Sequence, residues 1–260
     1  MIRSLISGFG NTQTSWVIRS SPSTGSLYVV GFNGSNLFIT VNVNTNVYTS
    51  PDGVTWTTAS SGISTFPYGI TYSNTAFILV GSNTNTGYPA IATSTDGGIT
   101  WTTRSTTGFG TSSNIQGVCW SGSYLVAVSN EGHIATSTGT GSSWTQRYKE
   151  ASGNFYSVAY GGGIYVACGS GALATSINGT SWTNNNNSAC PFTVNSVTYG
   201  NSRFVAVGIS GKIATSSDGI NWTLSESPVT TSLRDVVYGN SKFVAVGGGS
   251  PTIITSPTGF

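Results

Sequence analysis

Charge is scarce in this sequence: only 6% of the 260 residues are Asp, Glu, Lys or Arg, seven acids against nine bases. A nucleic-acid backbone is held by clustered Lys and Arg, so a composition this neutral argues against a nucleic-acid partner. Histidine occurs once, as His133. With no second histidine and no Ser or Cys in a nucleophile-elbow setting, a catalytic triad has no support. The three cysteines, Cys119, Cys168 and Cys190, are odd in number and lack metal-ligand spacing, and they read as free thiols. No stretch approaches the roughly 18 consecutive apolar residues of a membrane span. The opening MIRSLISGFGNTQTSW is too interrupted for the apolar core of a signal peptide, so it reads as part of the fold. Phosphate loops, dinucleotide fingerprints and calcium loops are all missing, and no cofactor or metal is expected.

What fills the space is Gly, Ser, Thr and Asn, together with 12% aromatic residues and many β-branched ones. The aromatic and β-branched content separates the chain from a solvated coil and points to strands. A chain of this length can bury a core as one all-β domain, here 1–260.

The strands come in copies. Thr-Ser pairs occur at Thr49-Ser50, Thr93-Ser94, Thr136-Ser137, Thr175-Ser176, Thr215-Ser216 and Thr255-Ser256, with serine spacings of 44, 43, 39, 40 and 40 residues. That period suits a four-stranded propeller blade and excludes short solenoid repeats. Each copy also carries one aromatic at a fixed place: Phe32, Tyr72, Trp120, Tyr160, Tyr199 and Tyr238. Within the fifth copy, VNSVTYG, RFVAVGIS, KIATSS and INWTLSE are short β-rich segments bounded by Gly, Asn or Ser, which we designate strands A to D. The Gly/Asn-rich A-to-B turns predict tight hairpins. The expected fold is a six-bladed β-propeller with blades at 24–61, 62–105, 112–149, 153–187, 192–227 and 232–260. The last copy ends before its tryptophan, and Thr14–Trp16 repeats the TSW of Thr180–Trp182, so residues 12–20 are expected to complete the sixth blade.

The C-to-D turns read SPDGVTW at 50–56, STDGGITW at 94–101 and SSDGINW at 216–222. They resemble the Asp-box (BNR repeat) of sialidase-like propellers. Copy four has Asn178 at the acidic position, copy three (STGTGSSW) has no acid, and copy six has Thr258. An Asp or Asn in such a turn accepts backbone N–H bonds, and the tryptophan packs on the turn. Asp52, Asp96, Asn178 and Asp218, with Trp56, Trp101, Trp144, Trp182 and Trp222, are therefore read as structural. The aromatic column at the end of strand A is read as inter-blade packing.

A sialidase-type site would need an arginine cluster, a Glu-activated Tyr and an Asp acid, and no arginine here lies in a matching context. The remaining acids are Glu131, Glu150, Glu226 and Asp235. A glycosidase needs two carboxyls facing one another across the bond to be cut; Glu131 and Asp235 could reach one propeller face, and they are read as solvated loop charges. No catalytic residue is expected.

Function then falls to positions that differ between copies. The face formed by the B-to-C turns and D-to-A links is the variable one. There, strand A opens with Tyr28, Tyr68, Gln116, Tyr156, Asn195 and Arg234, with Tyr88, Glu131 and His133 placed on the rim. Aromatic faces, amides and one cation suit a glycan or a polar protein surface. The resemblance to lectin-like and phage or virion propellers implies a non-enzymatic binding module, extracellular or on a virion surface. The alternatives are a structural or decoration protein of a particle and, more remotely, a glycoside hydrolase.

Overall fold

A computed structural model describes residues 20–186, 192–248 and 252–256. The chain runs as successive antiparallel meanders. Blade 1 contains β1 (Leu27–Phe32), β2 (Phe38–Asn42), β3 (Val47–Ser50) and β4 (Thr57–Ser60). Blade 2 contains β5 (Thr65–Tyr72), β6 (Phe77–Asn83), β7 (Pro89–Ser94) and β8 (Thr102–Arg104). Blade 3 contains β9 (Ile115–Trp120), β10 (Leu125–Ser129), β11 (His133–Ser137) and β12 (Thr145–Lys149). Blade 4 contains β13 (Asn154–Gly161), β14 (Ile164–Ser170), β15 (Leu173–Ser176) and β16 (Thr183–Asn184). Blade 5 contains β17 (Val194–Gly200), β18 (Arg203–Gly208), β19 (Ile213–Ser216) and β20 (Thr223–Ser225). Blade 6 contains β21 (Leu233–Gly239), β22 (Lys242–Gly247) and β23 (Thr252–Ser256).

Each sheet is hydrogen-bonded in chain order, with five four-stranded sheets and one three-stranded sheet among the described residues. The A strands β1, β5, β9, β13, β17 and β21 pack successively on one another, and those of blades 2 to 6 line one central channel. The fold is a six-bladed β-propeller. The expected closure by residues 12–19, together with Cys190 and Thr258, lies outside the described residues.

The B strands explain why these sheets stack. Segments such as LVAVS in β10 and RFVAVG in β18 are buried along nearly their whole length, as a strand covered on both faces must be. Alternate residues of one strand enter different cores. Leu125 and Ala127 join Ile78, Val80 and Ile91 of blade 2, while Val126 and Val128 join Phe155, Tyr165 and Ala167 of blade 4. Each of the five described clusters spans two neighbouring blades, so the hydrophobic core is inter-blade. In blades 4, 5 and 6 the A-to-B connections are two-residue loops with both residues at positive φ: Gly162-Gly163 at 58° and 83°, Asn201-Ser202 at 45° and 59°, and Asn240-Ser241 at 48° and 59°. These are the type I′ geometries that fit strand twist.

The Thr-Ser pair has a physical basis. In blade 5 the Ser216 hydroxyl donates to Asp218 Oδ1 (2.9 Å) and accepts the Gly219 N–H (2.8 Å). Asp218 Oδ1 in turn accepts the N–H groups of Ile220 and Asn221, both at 2.8 Å, and the Trp222 indole donates to the Gly219 carbonyl at 3.2 Å. Asn178 reproduces this through Thr180 and Ser181, and Trp144 keeps its bond to Gly141 in the acid-free turn. The threonine of the pair serves the outer strand, accepting from Arg104 at Thr93, from Arg147 at Thr136 and from Asn185 at Thr175.

Tyr199 and Tyr238 of the aromatic column pack between blades as expected, whereas Phe32 and Tyr160 meet Phe38 and Tyr165 of their own blades. A Cβ built on Gly161 would lie 2.0 Å from Tyr199 Cγ, and one on Gly200 would lie 2.0 Å from Tyr238 Cγ. Each ring therefore rests on the bare backbone of the preceding blade. The asparagine run after β16 adds a clasp that composition alone does not disclose. Asn184 donates to Tyr148 and Glu150 of blade 3, while Asn186 Oδ1 accepts the Leu173 N–H in place of a strand partner.

Candidate functional site

Every A strand carries a β-bulge at the same level. Pairing jumps from Leu27 to Val29, Pro67 to Gly69, Ile115 to Gly117, Phe155 to Ser157, Val194 to Ser196 and Leu233 to Asp235. The skipped residues are Tyr28, Tyr68, Gln116, Tyr156, Asn195 and Arg234, the six positions singled out above. A bulge places two residues opposite one and re-aims a side chain out of the regular alternation. The ladder therefore sets these six residues at one level of the ring, near the start of each A strand.

The bulges explain another repeated feature. Strand B carries a glycine at or near its end in four copies, and a Cβ on Gly81, Gly169, Gly208 or Gly247 would lie 1.7 to 2.7 Å from the carbonyl oxygen of Phe66, Asn154, Thr193 or Ser232. Those carbonyls lie two residues before the bulge. In these four blades a side chain there would meet the doubled strand, whereas blades 1 and 3 form the same bulge with Asn42 and Ser129 at that place, so the glycine marks the bulge in four copies.

The bulged residues form linked pairs. Phe66 meets Tyr28 of blade 1 edge-on at 4.9 Å and Tyr68 at 5.4 Å. Asn154 donates to the Tyr156 hydroxyl (3.3 Å), and the Asn195 amide reaches across to the Leu233 carbonyl of blade 6 (2.7 Å). Arg234 is exposed, and the other five are half-buried.

The channel begins one residue further along the A strands of blades 2 to 6, so the bulged side chains do not make its wall. Its volume is about 380 Å³, with Gly69, Gly117, Ser157, Ser196 and Asp235 at one level and Trp120, Tyr160, Tyr199 and Tyr238 towards the far end. The lining changes around the ring. Glycines in blades 2 and 3 give way to hydroxyls in blades 4 and 5 and a carboxylate in blade 6. Ser157 accepts the Val197 N–H (3.2 Å), and Ser196 donates to Asp235 Oδ1 (2.6 Å), so these groups also join neighbouring blades. Cys119 lines the channel too, and burial pushes its thiol up to about 12.

The expected rim residues separate. Tyr88 and Glu131 are exposed in B-to-C turns, with Lys149 donating to the Glu131 carbonyl. His133 departs from the rim placement. It is the first residue of β11 and is only 8% exposed, because the glycine-rich link before blade 3 lies over it with Gly110 against the ring. Its Nδ1 bonds to Gln146 at 3.2 Å. Burial, seconded by the charge of Lys149, lowers its pKa and keeps the ring neutral. A Tyr–Glu hydrogen bond does occur, between Tyr148 and Glu150 at 3.0 Å. It lies at the outer edge of blade 3, and burial together with that bond raises the phenol pKa, the opposite of nucleophile activation. No group of three or more His, Cys, Asp or Glu able to hold a metal occurs among the described residues. No helix there is long and apolar enough to cross a membrane.

No protein-family model matches the sequence, and comparison with curated protein sequences gives no match. Solved structures do resemble the fold. One of YCF48 bound to D1 peptide superposes with a TM-score of 0.67 at 20% identity, covering 92% of this chain and 80% of that one. YCF48 from Cyanidioschyzon merolae gives 0.64 at 16% identity over 88% and 81%. A nidogen/laminin complex gives 0.64 at 10% identity over 86% and 89%. At these identities the similarity concerns architecture.

Proposed function

We propose that this chain is a non-catalytic binding propeller that engages a polar protein or peptide surface at the bulged mouth. The observation that carries the reading is the six-fold bulge. One backbone device, repeated in every blade, delivers six side chains of four different types to one rim. A device needed only for packing would favour one class of side chain, as the all-aromatic column at the other end of strand A does. Structural neighbours held with a D1 peptide or within a nidogen/laminin complex are consistent with a partner of this class. The turns that resemble Asp-boxes act as scaffold in this reading. A neutral glycan is the second reading, favoured by the rings of Tyr28, Tyr68 and Tyr156, which offer stacking surfaces.

Peptides selected from a displayed random library against the full chain test the proposal. Tyr68→Ala and Tyr156→Ala should keep the fold and weaken the selected peptides at least about tenfold, the usual scale for one lost aromatic anchor. Unchanged affinity in both variants, or a library that yields no binder while a glycan array does, would falsify it.

A further inference from the structure

The bulged mouth is electrically one-sided. Five of its six positions are neutral, and the sixth, Arg234, is exposed with no carboxylate among the described residues paired to it. The adjacent acid, Asp235, faces the other way. It is 3% exposed and accepts from the Ser196 hydroxyl and from the Val236 N–H at 3.0 Å. The bulge thus splits two consecutive, oppositely charged residues, turning the acid into the channel and the cation out to the mouth.

Arg234 is also positioned. Its guanidinium lies over Gly248, where an added Cβ would stand 2.8 Å from Nε and 3.2 Å from Nη2. From the next blade, the Asn195 amide holds the Leu233 carbonyl immediately before it. An arginine laid on bare backbone surrenders little freedom on binding, and its planar fork matches a carboxylate through two parallel hydrogen bonds. A single arginine among neutral neighbours does not make a polyanion site.

Resting on the reading that the mouth binds peptide, we infer that the bound segment presents a carboxylate to Arg234, from an Asp or Glu side chain or from a chain terminus. The tyrosines and amides of the other blades receive its neutral flanks.

The library-selected peptides decide this with the full chain. Arg234→Gln should weaken them tenfold or more while leaving the thermal melt in place, and Arg234→Lys should restore only part of the loss. Gly248→Ala should weaken them as well, although it removes no charge. Replacing the peptide's acid by its amide, or amidating its C-terminus, should reproduce the Arg234→Gln loss in one arm and identify the source of the carboxylate. Peptides that respond to Tyr68→Ala and Tyr156→Ala but bind Arg234→Gln as tightly as the native chain would overturn the carboxylate inference alone. Indifference to all three substitutions would overturn the mouth as the site.

Discussion

Asn178 stands where three other copies carry Asp, and its turn closes with the same set of bonds. The acid's role there is hydrogen-bond acceptance, and its charge shows instead as a pH dependence. Burial raises the Asp96 pKa, but the Thr100 hydroxyl and N–H and the Ser94 hydroxyl outweigh it and bring the value to about 2. Backbone N–H groups of Thr55 and Val54 lower Asp52, and the Asn221 and Ile220 bonds outweigh burial to lower Asp218. A carboxyl depressed in the folded state contributes stability that is complete above its unfolded value near 3.9 and fades as pH falls towards the folded one. The melting temperature should therefore drop between about pH 4 and pH 2. The triple variant Asp52→Asn, Asp96→Asn, Asp218→Asn should melt lower at neutral pH, because an amide nitrogen cannot accept the bonds that Thr100 and Asn221 give the second carboxylate oxygen, and it should flatten that acid limb. An unchanged acid limb in scanning calorimetry would show that these turns are not what titrates.

At the scale of the strand, the seams between blades 4 and 5 and between blades 5 and 6 include a glycine meeting an aromatic. Gly161→Ala should destabilise the protein by about 1–3 kcal/mol, the usual range for overpacking, because the new methyl would meet the Tyr199 ring. Removing the ring as well should recover part of that loss, so the double variant Gly161→Ala, Tyr199→Ala should be less than additive in denaturant melts; strict additivity would place the strain elsewhere. The strands themselves were legible because hydrophobic runs, Gly/Asn turns and the Thr-Ser pair repeat at one spacing. The bulge was not, since a skipped residue changes register without changing composition, and its signal lay in the glycine of the opposite strand. His133 misled for a similar reason. Its NEGH context belongs to an exposed turn, but its burial is imposed by a link more than 20 residues earlier in the chain, which no local pattern reveals.

For the whole molecule, a core divided into seams between neighbouring blades means that no blade holds a hydrophobic interior of its own. Unfolding should be a single cooperative event. In calorimetry, Gly161→Ala and Asn184→Ala, which act at different seams, should each shift one transition; two resolved transitions would contradict the shared core. The number of blades could be counted from the repeat, whereas the candidate site could be located only as the set of positions where the copies disagree. That disagreement follows from the bulges. In blades 2, 4, 5 and 6 a glycine opposite the bulge makes room for the doubled strand, so there the close approach is met by the partner strand and not by the bulged side chain. In the proposed reading the mouth is a set of six sockets on a repeated chassis. Natural drift or a laboratory library can exchange their contents one at a time, giving the propeller a new partner without renegotiating its fold.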